Sequence, residues 1–266
     1  MAYSLDGDVA LVVGGGGEIG AAISKRLARE GAKIAVCDID RDKAQQVAKV
    51  IADDGGMAVA IECDVSDQTE AAAAVAQTVG RFGKLTVLVN LAAAVTPNGT
   101  VETITLENWK KEFDVNLTGA FLACKYAVPE MRKAGGGSII NISSQLGHLG
   151  VAGRAPYCTT KAALHHFTRI LALDHSCDNI RANTISPGAV STDRSSAGFG
   201  DTKEAAAKIH GPKHLLGRPA RVDEIAAAVA FLASSDASFV TAADLLVDGG
   251  YTAFKGIVDT ARNVLI

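Results

Sequence analysis

The sequence predicts an α/β fold: a doubly wound parallel sheet of about seven strands with helices on both faces. Three observations carry this. Short apolar runs recur along the 266 residues, most are followed by longer alanine-rich stretches of helical period, and the runs are apolar on both faces, as strands covered from two sides must be. No Pro/Gly/Ser-rich linker or tandem repeat interrupts the alternation, and a 48% hydrophobic content suffices for one large core. A single domain over residues 1–252 is expected.

The elements follow in order. DVALVV leads into EIGAAISKRLARE, KIAVCD into RDKAQQVAKVIADD, MAVAIECD into QTEAAAAVAQTVGRF, and KLTVLVN is a fourth strand. Two helical stretches lie within LENWKKEFDVNLTGAFLACKYAVPEM. After them come a strand GSIINIS, a helix from about Ala155 to His175 and a strand IRANTIS. Right-handed crossovers make such a sheet doubly wound, and its ligands sit beyond the carboxyl ends of the strands. The loops at those ends therefore carry the functional weight.

A net charge of −3, from 26 basic and 29 acidic residues intermixed, gives no electrostatic ground for a nucleic-acid or membrane partner. A small molecule is the expected partner. The five cysteines are odd in number, with no CxxC pair and no metal-ligand spacing, so no metal is expected and the thiols read as reduced. Cys37 and Cys63 are taken as small buried hydrophobes. The N-terminus shows no basic leader, and no apolar run approaches the ~18 residues of a membrane span; the expected compartment is the cytoplasm.

The first loop reads VGGGGEIG at 13–20, between a strand and a helix start, where backbone N–H groups and the helix dipole favour a pyrophosphate. The second strand ends in Asp38, 18 residues past Gly20, where a carboxylate receives the ribose 2′-hydroxyl of NAD and repels a 2′-phosphate. Asp38 could instead cap the next helix, a role Asp40 claims equally, and Arg41 keeps a minor NADP activity open. YCTTK sets Tyr157 and Lys161 four apart on one helix face. An ammonium there, helped by a cationic nicotinamide ring, is expected to lower the tyrosine pKa so that it exchanges a proton with a substrate oxygen. Ser144, 13 residues upstream, would hydrogen-bond the same oxygen.

From Leu5 to Thr252 the chain resembles the short-chain dehydrogenase/reductase family. The glycine loop, CDV at Cys63–Val65, VNLAA at Val89–Ala93, Asn116, Ser144, Tyr157, Lys161, PGAVST at Pro187–Thr192 and VDGGYTA fall in family order. The resemblance implies a single-domain Rossmann fold and a catalytic set of Asn116, Ser144, Tyr157 and Lys161, with Asn116 holding a water in a proton relay. It implies a cofactor site formed by Gly14, Gly17, Glu18, Ile19, Gly20, Asp38, Asp64, Val65, Asn90, Ala92, Tyr157, Lys161, Pro187, Gly188, Val190 and Thr192. Asp64 and Val65 would flank the adenine, Asn90 would line the cleft, and Val190 and Thr192 would face the carboxamide. Val13, Glu18 and Leu91 depart from the commonest family pattern, although Gly14, Gly17 and Gly20 keep a GxxGxxG spacing; Glu18 is expected to point outward.

Residues 193–217 stand where the family carries its substrate loop and are expected to form a mobile lid. Gln145, His148, Arg154 and Arg194 are candidate substrate contacts, with exposed loop histidine an equal reading for His148, His210 and His214. His165 and His166 are expected in packing or subunit contacts, and Trp109 in the core. The family further implies a homotetramer, and the apolar tail 253–266 is expected to dock across a subunit interface. The function expected is NAD-dependent interconversion of a secondary alcohol and a ketone. Reduction of a 3-oxoacyl thioester, and a catalytically silent NAD-binding sensor or scaffold, stand beside it; a Rossmann methyltransferase leaves YxxxK unexplained.

Overall fold

In a computed structural model, the structure describes residues 4–197 and 202–254, together with the backbone of 258–259 and 264–265. Seven parallel strands form one sheet in the order β3-β2-β1-β4-β5-β6-β7. They are β1 (Val9–Val13), β2 (Lys33–Asp38), β3 (Ala58–Glu62), β4 (Val87–Asn90), β5 (Gly137–Ile142), β6 (Ile180–Pro187) and β7 (Asp244–Val247). The order reverses between β1 and β4, which opens a crevice at their carboxyl ends.

Alternation along β1 builds both halves of the core. Ala10 and Val12 face α1 (Glu18–Arg29), α2 (Arg41–Asp53) and α9 (Val222–Ala233), through Ile23, Leu27, Val47, Ile51 and Val229. Leu11 and Val13 face α3 (Gln68–Phe82), α5 (Gly119–Lys133) and α6 (Ala155–His175), through Val75, Val128, Met131 and Leu171. Every β1 side chain is buried, as a central parallel strand requires. The expected doubly wound sheet is thus the observed one.

α4 (Leu106–Phe113) runs into α5 through a π-helical turn, Asp114–Thr118. That one-residue insertion displaces the helix face that follows it, a distortion common at functional sites. Trp109, expected in the core, is only half-buried and stacks on Phe113 with ring centres 4.7 Å apart. The residue buried from this helix is Glu112, at 2% exposure.

After β6 come two short helices, α7 (Asp193–Ser196) and α8 (Lys203–His210). They occupy the stretch expected to form the lid. In the tail, Val258–Asp259 and Val264–Leu265 pair as a two-residue antiparallel ladder; the expected tail contacts of Ile257 and Ile266 fall outside the described residues.

Candidate active site

The glycine loop turns tightly at the end of β1. Gly14 has φ of 84°, and a side chain there would come within 2.7 Å of the Ala92 amide nitrogen, so only glycine permits this approach. A Cβ on Gly20 would collide with the Gly14 carbonyl, which packs α1 directly against the loop. Gly17 is the N-cap of α1 and offers no side-chain bond to the first amides, whereas Asp40, Asp67, Thr105, Thr192 and Thr202 cap α2, α3, α4, α7 and α8. Open amides behind a side-chain-free turn fit a pyrophosphate.

Asp38 faces this loop. Its Oδ2 accepts from Gly16 N at 2.9 Å and its Oδ1 from Asp40 N at 3.0 Å. Asp40, not Asp38, caps α2, accepting from Lys43 N at 3.1 Å. Arg41 leans toward Glu62, 3.9 Å away. The cap reading of Asp38 is therefore excluded.

Glu18, expected to point outward, is exposed and faces the segment expected to form the lid. Its Oε2 accepts from Asp193 N at 2.7 Å, and its Oε1 lies 2.6 Å from Lys203 Nζ. The reason is electrostatic: at the first turn of α1 it meets the lid's ammonium, which also pairs with Asp193 at 3.2 Å. Asn90 departs from expectation. It follows Leu88 by two residues on the same buried face, and its Nδ2 donates to Asn141 Oδ1 at 2.8 Å, so its side chain ties β4 to β5 rather than lining the cleft. Asp64 accepts from Ser66 at 2.6 Å, beside buried Val65. Leu91 and Ala92 both donate to the Val13 carbonyl, so two of the positions that depart from the family pattern, 13 and 91, are joined by a backbone hydrogen bond.

The catalytic candidates meet beyond the carboxyl ends of β4 and β5. Asn116, in the π-turn, clasps Ala94: its Oδ1 accepts from Ala94 N at 2.7 Å, and its Nδ2 donates to Ala94 O at 3.2 Å and to Thr160 Oγ1 at 3.3 Å. Lys161 is 3% exposed, and its Nζ donates to the Ile142 carbonyl at 2.8 Å. That carbonyl is its one acceptor among the described residues, leaving the ammonium two N–H groups, which suits ribose hydroxyls. Burial pushes Lys161 down from 10.5 to about 8. The Lys161 Nζ stands 5.7 Å from the centre of the Tyr157 ring.

Tyr157 shifts opposite to the sequence expectation. Burial raises its pKa above the ordinary 10; the Ser144 hydrogen bond, Arg154 and Arg194 pull it down, and the net remains upward. The phenol is thus neutral in the free protein. Glu112 stands one turn before Asn116. Its Oε1 accepts from Thr96 N and Oγ1 at 2.8 and 2.6 Å, while its Oε2 has no partner among the described residues. Its charge raises the pKa of both Tyr157 and Lys161. Sequence reasoning missed this group, because a glutamate in WKKEF reads as a solvated face.

Beyond the carboxyl end of β6, Gly188 N donates to Val247 O, and Val190 bridges to Ala220. Thr192 caps α7 by accepting from Ser195 N at 3.1 Å. His214, expected in an exposed loop, is 1% exposed: its Nδ1 donates to His210 O at 2.8 Å, and its Nε2 accepts from Ala189 N at 3.2 Å, holding the turn after Pro187. His148 is committed to Asp244, 2.6 Å away. His165 contacts Ser186 at 3.0 Å and stacks on His148 with ring centres 4.3 Å apart. Gln145 is buried, and its Oε1 has no partner among the described residues.

A phenol, a buried ammonium, a serine and a clasped asparagine at the switch point of a dinucleotide-type sheet define a hydride-transfer oxidoreductase site. Comparison with known proteins agrees. A family model described as enoyl-(acyl carrier protein) reductase matches residues 16–252. The chain is 41% identical over 253 residues to a 2,5-dichloro-2,5-cyclohexadiene-1,4-diol dehydrogenase of Sphingobium indicum, covering 95% of this chain and 99% of that protein. It is 37% identical to a cis-4-hydroxycyclohexanecarboxylate dehydrogenase of Sinomonas cyclohexanicum, covering 92% and 96%. A crystal structure of a short-chain type dehydrogenase/reductase from Mycobacterium marinum superposes with a TM-score of 0.85 at 32% identity, covering 94% of this chain and 97% of that one. The chain belongs to the short-chain dehydrogenase/reductase family, whose dehydrogenases work with a nicotinamide cofactor on alcohols and ketones.

Proposed function

We propose that the protein oxidises a ring-borne secondary alcohol to the ketone with NAD. The observation that carries the reading is the convergence of Asn116, Ser144, Tyr157 and Lys161 described above. Tyr157 takes the hydroxyl proton, Ser144 hydrogen-bonds the same oxygen, Lys161 holds the nicotinamide ribose, and Asn116 keeps the adjoining loop in register. The cofactor supplies the hydride acceptor and a positive charge near the phenol. NAD over NADP is supported by Asp38, whose carboxylate faces Gly16 and would repel a 2′-phosphate. The ring-borne alcohol is supported by the two relatives named above, both of which act on six-membered carbocycles.

A cytoplasmic homotetramer belongs to the same reading. Phe121, Ile170 and Leu173 stand exposed on α5 and α6 and would be covered by a second copy; no described helix is long and apolar enough to cross a membrane. The test is a screen of cyclohexanol-type alcohols with NAD and NADP, followed by reduced-cofactor absorbance, with 3-oxoacyl thioesters and NADPH in a parallel arm. NAD-dependent turnover of a cyclic alcohol is expected. Turnover confined to the thioester arm, or absent in both, overturns the proposal.

A further inference from the structure

The cleft around Tyr157 holds more positive charge than proton transfer requires. Arg154, the residue preceding α6, places its guanidinium carbon 4.9 Å from the centre of the Tyr157 ring, and its Nη1 bonds Asn98 Oδ1 at 3.2 Å. Arg194, on α7, extends from the lid, and its Nη2 bonds the Ala93 carbonyl at 3.0 Å, next to the Ala94 that Asn116 clasps. The two arginines thus grip opposite ends of one loop, 93–98, which follows β4. Among the described residues each uses one of the five hydrogen bonds its guanidinium can donate.

Among the described residues neither has a carboxylate at ion-pair distance. Elsewhere Arg132, Arg218 and Arg221 are matched with Asp178, Glu224 and Asp223. Lys203, which follows α7 in the chain, is held by Glu18 and Asp193. Against Lys161, Arg154 and Arg194 stands Glu112, which is buried and turned to Thr96. An oxidised nicotinamide would add a further positive charge. Arg154 is half-buried and Arg194 exposed, so both guanidiniums are open to an incoming anion, and a neutral substrate would leave their charge uncompensated.

We propose that Arg154 and Arg194 form a carboxylate receptor, and that the substrate is a secondary alcohol bearing a carboxylate. This rests on the alcohol dehydrogenase reading above and names its substrate class. The planar guanidinium fork matches a carboxylate in two bonds, and two forks at the ends of one loop hold it at a fixed distance from the Tyr157 oxygen.

The test has two parts. First, 2-, 3- and 4-hydroxycyclohexanecarboxylates are compared with their methyl esters at saturating NAD. At least one acid is expected to exceed its ester in kcat/KM by roughly tenfold or more, mainly through KM. Arg154→Gln and Arg194→Gln are each expected to lower that acid-to-ester ratio by a comparable factor. Because both arginines also act on the Tyr157 pKa, a change common to acid and ester cancels in the ratio. Second, titration calorimetry of cyclohexanecarboxylate into the enzyme with NAD reads binding without turnover. Binding that is lost in both variants and retained in part by Arg154→Lys supports the receptor even if no alcohol is oxidised, so this result separates the receptor from the alcohol reading. Esters preferred equally to acids, or anion binding unchanged in both variants, overturns it.

Discussion

Lys161→Met should stabilise the cofactor-free protein at neutral pH while abolishing its activity. The side chain is 3% exposed and its pKa falls from 10.5 to about 8 on folding. At about 1.4 kcal/mol per pH unit, that gap is a cost of about 3 kcal/mol for carrying the charged form into the fold at pH 7. Methionine fills a similar volume and removes that cost, but leaves the Ile142 carbonyl without its donor, a loss of about 1–2 kcal/mol. The net expected gain at pH 7 is therefore about 1–2 kcal/mol.

The sign reverses with pH. Below about 8 both folded and unfolded wild-type chains carry the proton, and the full cost applies. Between about 8 and 10.5 the unfolded chain still binds the proton that the folded chain has released, so wild-type stability rises across this window from this group. The methionine variant lacks that rise, and its advantage should shrink and then invert. Urea unfolding in steps from pH 7 to pH 10 measures both curves. A variant less stable than wild type by a constant amount at every pH would refute the reasoning.

Tyr157→Phe should abolish hydride transfer with cofactor affinity nearly unchanged; roughly a tenth or more of wild-type turnover would exclude Tyr157 as the proton carrier. Asp38→Ala should narrow the preference for NAD over NADP, read as the ratio of kcat/KM values, and an unmoved ratio would leave Asp38 as a brace for the glycine loop alone. Glu112→Gln should move the pH midpoint of alcohol oxidation downward, because Glu112 raises the pKa of both Tyr157 and Lys161; an upward shift would contradict that coupling. Glu18→Gln should loosen the lid, since Lys203 loses one of its two ion pairs and keeps only Asp193. For so exposed a pair the effect is about 0–1 kcal/mol, seen as up to a few-fold faster proteolytic nicking within 193–217 and suppressed by NADH.

Local period made the sheet readable. Strands buried on both faces and helices of 3.6-residue period need only neighbouring residues to be recognised, and α6 runs from Ala155 to His175 as its pattern requires. Tyr157 and Lys161 were legible from their four-residue helical spacing and Ser144 from its place at the end of a strand, whereas Asn116 came only with the resemblance to the family. The helix through Asp114–Thr118 was less legible, because its π-turn adds a residue and rotates the buried face. Trp109 and Glu112 precede that turn: a lone tryptophan reads as core, and a glutamate after Lys110 and Lys111 reads as a solvated face. Contacts between distant segments left no local signal at all. Glu18 meets Lys203 across 185 positions, and His148 meets Asp244 across 96.

The free site is set against alcohol oxidation until cofactor arrives. Burial acts in opposite directions on the catalytic pair, raising the Tyr157 pKa and lowering that of Lys161, so both groups are driven toward their neutral forms. A base for alcohol oxidation needs the reverse, a phenolate beside an ammonium. Glu112 supports the Lys161 ammonium but opposes the phenolate, while Arg154 and Arg194 support the phenolate and, in the case of Arg194, oppose the ammonium. A carboxylate bound between the two arginines would cancel part of their help to Tyr157. An oxidised nicotinamide bound nearby would supply a positive charge that favours the phenolate. Lys161 has two N–H groups without an acceptor among the described residues; ribose hydroxyls placed there would supply acceptors and restore the charge that burial takes from it.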